Sequence, residues 1–118
     1  MAGEVGVEIR RYDEVEVFPF GDMVLRELSP EALHGASIAE IIVPMGVQRP
    51  SRVSEKRDRV YVGLSGDIEF TVDGVVTRLG PGDVVHIAEG EEYGFYNGGY
   101  EEGRLLLIRI PGLTVGEG

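Results

Sequence analysis

The chain predicts an all-β sandwich or barrel, on three observations. β-branched residues gather in short runs. Glycine and Pro-Gly turns break these runs at short intervals, as sandwiches and barrels require. No segment of about twelve or more residues has convincing helical periodicity.

The elements follow in order. VEIRRYDEVEVFPFG reads as an early strand and a sheet edge, stopped by Pro19 and Gly21. MVLREL is a short strand, and SPEALHGA is a loop or helical turn. SIAEIIVP is rich in Ile and Val and reads as a buried strand ending at Pro44. In the clearest region, Val60, Val62 and Leu64 alternate with Arg59, Tyr61 and Gly63. Ser65-Gly66-Asp67 then turns the chain. Ile68, Phe70 and Val72 alternate with Asp67, Glu69 and Thr71. Asp73-Gly74 is a strong two-residue hairpin signal, because both turn positions can need φ > 0. Gly80-Pro81-Gly82-Asp83 is another turn, followed by the strand DVVHI and the loop AEGEEYG. YGFYN is a strand closed by Asn97-Gly98-Gly99, and RLLLIRIPG is a last, well-buried strand. TVGEG reads as a loose tail.

The 118 residues are one domain's length, with the core expected over about residues 20–110. No cysteine is present, which excludes disulfides and thiolate metal sites. The net charge of −10 argues against nucleic acid and anionic membrane as partners, since both need clustered positive charge. No apolar run reaches the length of a membrane span, and MAGEVGVEIRRYDE lacks the order of a signal peptide. A cytoplasmic protein is the expectation. Asn97, Gln48 and Lys56 are each the single residue of their type, a composition that fits a thermophile or a GC-rich genome.

Two glycine-framed patterns carry the chemistry. One runs Gly82, five residues, Ala88, one residue, Gly90, two residues, Tyr93, three residues, Asn97. The other runs Gly46, five residues, Arg52, one residue, Ser54, four residues, Arg59, six residues, Gly66. In spacing they resemble the two signature motifs of the cupin superfamily. VYVGLSG and LGPGDVVHI also resemble that family's usual strand-and-turn segments. The resemblance covers roughly residues 20–110 and implies a double-stranded β-helix, or jelly roll, of two packed antiparallel sheets.

In the family two His, one Glu and one further His hold a metal. Here Arg52, Ser54, Arg59 and Tyr93 stand at those four positions. Guanidinium groups have no free lone pair and repel a dication, so no metal and no cofactor are expected. His34 and His86 have no short ligand spacing, and strand parity turns His86 to the other face from Val85 and Ile87. Asp58 adjoins the Glu position and would need a bulge to turn inward.

Arg52 and Ser54 share one strand parity, and Arg59 and Tyr61 share another. The resemblance puts these four inside the barrel with Tyr93 opposite. The expected pocket is therefore Arg52, Ser54, Arg59, Tyr61 and Tyr93. Guanidinium forks suit carboxylate or phosphate. The expected function is metal-free binding of a small anionic or sugar-like molecule.

Three alternatives stay open at this point. Glu55, Asp58, Glu91 or Glu92 would close the pocket by pairing Arg52 and Arg59. A metal-independent isomerase or epimerase would use Tyr93 as acid with Glu40 or His86 as base, so enzyme status is undecided. A homodimer is expected, since the resemblance implies pairing through N-terminal strands, here with Val5, Val7 and Ile9 on one face, and a purely structural role is the third alternative. Glu89, Glu91, Glu92, Glu101 and Glu102 read as a solvated acidic rim, with a hard-cation site as the alternative.

Overall fold

The computed structural model describes residues 7–112. Among them ten strands form two antiparallel sheets, and no helix occurs. The larger sheet has the order β1 (Val17–Phe20), β2 (Met23–Glu27), β3 (Ser37–Val43), β10 (Gly103–Ile110), β5 (Asp58–Ser65), β8 (Val84–Ile87). The smaller has the order β4 (Gln48–Val53), β9 (Glu92–Tyr96), β6 (Ile68–Val72), β7 (Val75–Leu79). Successive strands repeatedly change sheet, and the late strand β10 lies between β3 and β5. This is a jelly roll, as the motif spacing implied.

Period-two alternation sets which side chains face inward. On β5 the inner row is Arg59, Tyr61 and Gly63, while Val60 and Val62 lie on the outer face, half-buried. On β10 the inner row is Gly103, Leu105, Leu107 and Arg109. Ala39, Ile41, Val43, Phe70, Phe95 and Leu105 belong to the buried core between the sheets. Three rings at the centre, Tyr61, Phe70 and Phe95, pack with centroids 5.1–5.7 Å apart. Such tilted and edge-on packing adds to the burial of the rings.

The turns obey their residues. Asp73 (φ 47°) and Gly74 (φ 82°) both take positive φ, so the β6–β7 hairpin has the predicted two-residue turn. The two glycine-framed patterns meet through backbone: Gly46 N–H donates to Asn97 C=O (2.7 Å), and Asn97 N–H donates to Val47 C=O (3.0 Å). The Asn97 amide is fully buried and donates to the carbonyls of Val43 and Glu101, both at 2.9 Å. It ties the end of β3 to the turn before β10.

The N-terminal expectation needs correcting. The first strand begins at Val17, and residues 7–16 form no strand. Val7 and Ile9 are exposed, and Val5 and the TVGEG segment lie outside the described residues. The charged side chains of this stretch bind elsewhere instead of extending an edge. Glu8 accepts the backbone N–H groups of Glu31 and Ala32. Tyr12 donates to Glu40 Oε1 (2.6 Å) on the outer face of the large sheet. Arg104 and Arg26 approach the same carboxylate at 3.4 and 3.9 Å.

Candidate functional site

Three arginines that line one cavity come from two strands: Arg59 is buried, Arg49 half-buried and Arg52 exposed. β4 carries Arg49 opposite Phe95 and Arg52 opposite Tyr93, both partners being core residues. Residues three apart share a face only if a bulge intervenes, and the register of β4 shifts between Arg49 and Arg52. Pro50 sits in that bulge, where its missing N–H costs no ladder bond. The bulge lies so close on β9 that a Cβ at Gly94 would stand 2.8 Å from the Arg49 carbonyl oxygen. Glycine at 94 is what lets β4 present both arginines. The third, Arg59, enters from β5.

These groups line a cavity of about 820 Å³ between the sheets, with Tyr61, Tyr93 and Arg109 among its walls. Arg59 is buried and donates to Ser54 Oγ (2.5 Å); Ser54 in turn donates to the Arg57 carbonyl (2.8 Å). The Arg59 guanidinium lies 5.8 Å from the Tyr93 ring centre, and that of Arg49 lies 4.5 Å from the Phe20 ring centre. The Nε of Arg49 is buried without a hydrogen-bond partner. Among the described residues no carboxylate lies within 4.0 Å of the charged nitrogens of Arg49, Arg52 or Arg59. Burial lowers the Arg59 pKa from its usual value, yet a guanidinium still keeps its proton.

The two phenols touch, with the Tyr61 hydroxyl donating to that of Tyr93 at 3.3 Å. Burial, the Tyr93 charge and this hydrogen bond push the Tyr61 pKa well above its usual value. Tyr93 goes the other way. Burial raises it, but the Tyr61 hydrogen bond, the close approach of Arg49 and the charges of Arg49 and Arg59 outweigh burial. The Tyr93 phenol ends below its usual range.

Of the five residues expected at the site, Arg52, Arg59, Tyr61 and Tyr93 line the cavity. Ser54 is fully buried behind Arg59 and acts on it as a support. Among the described residues none of the carboxylates considered as plugs forms an ion pair with Arg52 or Arg59. Glu91 accepts from the Ala88 N–H, Glu92 from Ser51, and Asp58 from His86 and the Glu89 N–H. Asp58 and His86 meet on the outer face at 2.9 Å, so no bulge turns Asp58 inward. Glu40, considered as a base, also faces outward, under Tyr12. No carboxylate or His hydrogen-bonds the Tyr93 hydroxyl among the described residues.

Sequence reasoning missed Arg49, Arg109 and Glu27. Arg109 was readable, since it continues the parity of Leu105 and Leu107. Arg49 was not, because the β4 bulge cancels simple parity. Arg109 donates to Glu27 Oε1 and Ser37 Oγ, each at 2.9 Å.

The site does not fit a metal ion. A dication needs imidazole nitrogens or carboxylate oxygens as lone-pair donors. The four motif positions offer two guanidinium groups, a hydroxyl already bound to one of them, and a phenol. Among the described residues no group of three or more His, Asp or Glu is arranged to hold an ion, the acidic rim included.

A family model described as "Cupin domain" matches residues 39–109, which include both glycine-framed patterns. The chain belongs to the cupin domain family. A curated relative, "Beta-D-galactosidase Rv1717" of Mycobacterium tuberculosis, is 38% identical over 72 residues. That match covers 58% of this cupin and 61% of the relative's length. KdgF from Halomonas sp. superposes with a TM-score of 0.81 at 13% identity, covering 90% of this chain and 94% of that one. An RmlC-like cupin from Shewanella frigidimarina superposes at 0.78 and 18% identity, covering 90% and 92%. The polyketide cyclase RemF from Streptomyces resistomycificus gives 0.78 and 18%, covering 89% and 80%. At such identities these structures establish the fold alone.

Proposed function

We propose that this cupin is a metal-independent receptor for a small organic anion, held in the cavity by Arg59, Arg49 and Arg52. One observation carries the reading. Three guanidinium groups share a cavity of about 820 Å³, and none has a carboxylate partner among the described residues. Arg59 is the buried member of the three, and leaving a buried cation uncompensated costs several kcal/mol in order-of-magnitude terms. A carboxylate or phosphate ligand removes that cost and takes up the free N–H donors. The cavity also falls within the roughly 300–1,000 Å³ common for small-molecule sites.

The test is thermal melting at fixed ionic strength with 3-phenylpropionate, galacturonate and inorganic phosphate, each against chloride. The melting temperature rises with at least one of these anions, and Arg59→Met abolishes the rise. If none raises it, the receptor reading fails.

A second reading has its own support. The lowered pKa of Tyr93, set between two guanidinium groups, suits a phenol that gives and takes a proton. On this reading the receptor is an acid–base enzyme, and the name of the mycobacterial relative points to sugar chemistry. Turnover of a bound carboxylate that stops in Tyr93→Phe, with binding retained, is the outcome that separates enzyme from receptor.

We also propose that the chain pairs with a second copy through the outer face of the large sheet. Val60, Val62, Leu106 and Ile108 are only half-buried there, and Val84 at 62% and Leu64 at 44% exposure extend the apolar surface. Sedimentation of the wild type and Val84→Lys checks this. A dimer converted to monomer is the expected result.

A further inference from the structure

The cavity has two unlike halves. One is the cationic head formed by Arg49, Arg52, Arg59 and Tyr93, on β4, β5 and β9. The other is an apolar wall. Phe18 and Phe20 come from β1, Leu25 from β2 and Leu107 from β10, and Leu33 stands in the loop between β2 and β3. Arg49 bridges the halves, its guanidinium lying over Phe20.

Resting on the receptor reading above, we propose that the ligand is a carboxylate with an apolar, aryl-sized body, not a hydroxyl-rich sugar acid. The head argument is common to both ligands. The body argument separates them. Hydroxyl arrays are recognised by side chains that both donate and accept in fixed directions, and each hydroxyl buried without a partner costs affinity. The lining contains no Asn, Gln, Asp or His, and of its three glutamates Glu16 and Glu31 are exposed while Glu27 is paired with Arg109. Among the polar residues of the lining, Glu27, Ser29 and Ser37 are already committed. Glu27 accepts from Arg109 (2.9 Å) and from Ser29 (2.6 Å), and Ser37 Oγ accepts from Arg109 (2.9 Å). A sugar ring would lay its hydroxyls against phenylalanine and leucine. An aryl or alkylaryl body gains from the same surface.

Phe18 is 43% exposed on an edge strand, so its replacement tests the wall without removing core. Calorimetric titration uses 3-phenylpropionate, its amide, and galacturonate, against wild type, Arg59→Met and Phe18→Ser. The expected result is that 3-phenylpropionate binds at least tenfold more tightly than galacturonate. The amide, which has the body but no charge, is silent. Phe18→Ser weakens 3-phenylpropionate about tenfold. Arg59→Met loses it. Galacturonate binding as tightly as 3-phenylpropionate, or 3-phenylpropionate unaffected by Phe18→Ser, overturns this inference and leaves the receptor reading standing. If neither carboxylate binds, this inference falls, and if inorganic phosphate also leaves the melting temperature unchanged the receptor reading falls with it.

Discussion

Arg109 and Arg59 face each other across neighbouring strands, β10 and β5, both pointing inward. They are equally hidden, at 5% and 6% exposure. Their surroundings differ. Arg109 has a carboxylate, Glu27, and a hydroxyl, Ser37, each at 2.9 Å. Arg59 has the hydroxyl of Ser54 and no carboxylate among the described residues. Like charges placed opposite one another destabilise a sheet, so a neutralised Arg109 beside a bare Arg59 is half a solution. The difference teaches which charge belongs to the fold. Arg109 is an ion pair within the fold, and on the proposed reading Arg59 is a charge held for a ligand.

The two arginines therefore answer mutation differently. Glu27→Gln strips the buried Arg109 of its counter-charge and is expected to cost about 3 kcal/mol, the lower end for breaking a buried pair. In melting temperature that is on the order of 10 °C, read by calorimetry. Arg59→Met leaves the unliganded protein as stable as wild type or more so, because an apolar chain replaces an uncompensated charge. Its ligand affinity falls by roughly 10- to 100-fold, the worth of a charged hydrogen bond. A destabilised Arg59→Met beside an unharmed Glu27→Gln would invert the comparison.

Two smaller effects sharpen it. Ser54→Ala leaves the Arg59 guanidinium unanchored, so affinity drops by roughly threefold to tenfold and Ser54→Thr restores it. The phenols supply a pH signature. Because the Tyr93 pKa is lowered, its ionisation adds a negative charge beside the arginines at a pH below the usual phenol value of about 10. Anion affinity is then expected to fall as pH rises through that lowered value, while Tyr93→Phe stays flat. For folding, a lowered Tyr93 pKa adds stability above its unfolded value, and this is lost as pH falls through the folded value. Tyr61, raised by burial first, works in the opposite sense. Its contribution is complete below about pH 10 and is lost as pH climbs through the folded value. The smallest effect is at Asp58, whose pKa is lowered by His86 and the Glu89 N–H on the outer surface. Asp58→Asn is expected to leave anion affinity unchanged.

Much of this was legible in the chain. Turn chemistry announced itself, because Asp73-Gly74 and Gly82 need positive φ and few other residues accept it. Parity sorted Arg59 and Tyr61 from Val60 and Val62 because β5 is regular over eight residues. Parity failed on β4, where the bulge at Pro50 and Ser51 puts Arg49 and Arg52 on one face. The N-terminal stretch misled because its alternating Val and Ile satisfied a strand pattern. Its polar side chains instead find long-range partners: Glu8 binds the loop at residues 31–32, and Tyr12 binds Glu40. Pairing between residues 28 positions apart leaves no local trace. For the same reason Glu27 could not be matched to Arg109, 82 positions away, and the contrast between the two arginines was invisible.

The central claim is that this cupin's metal positions have become an anion seat. The most direct test is calorimetric titration of chelator-treated protein, first with Mn(II), then with 3-phenylpropionate and galacturonate. The account predicts no heat of binding from Mn(II), and saturable binding near one carboxylate per chain for at least one of the two. Stoichiometric Mn(II) binding that is lost in Tyr93→Phe, with both carboxylates silent, would contradict it.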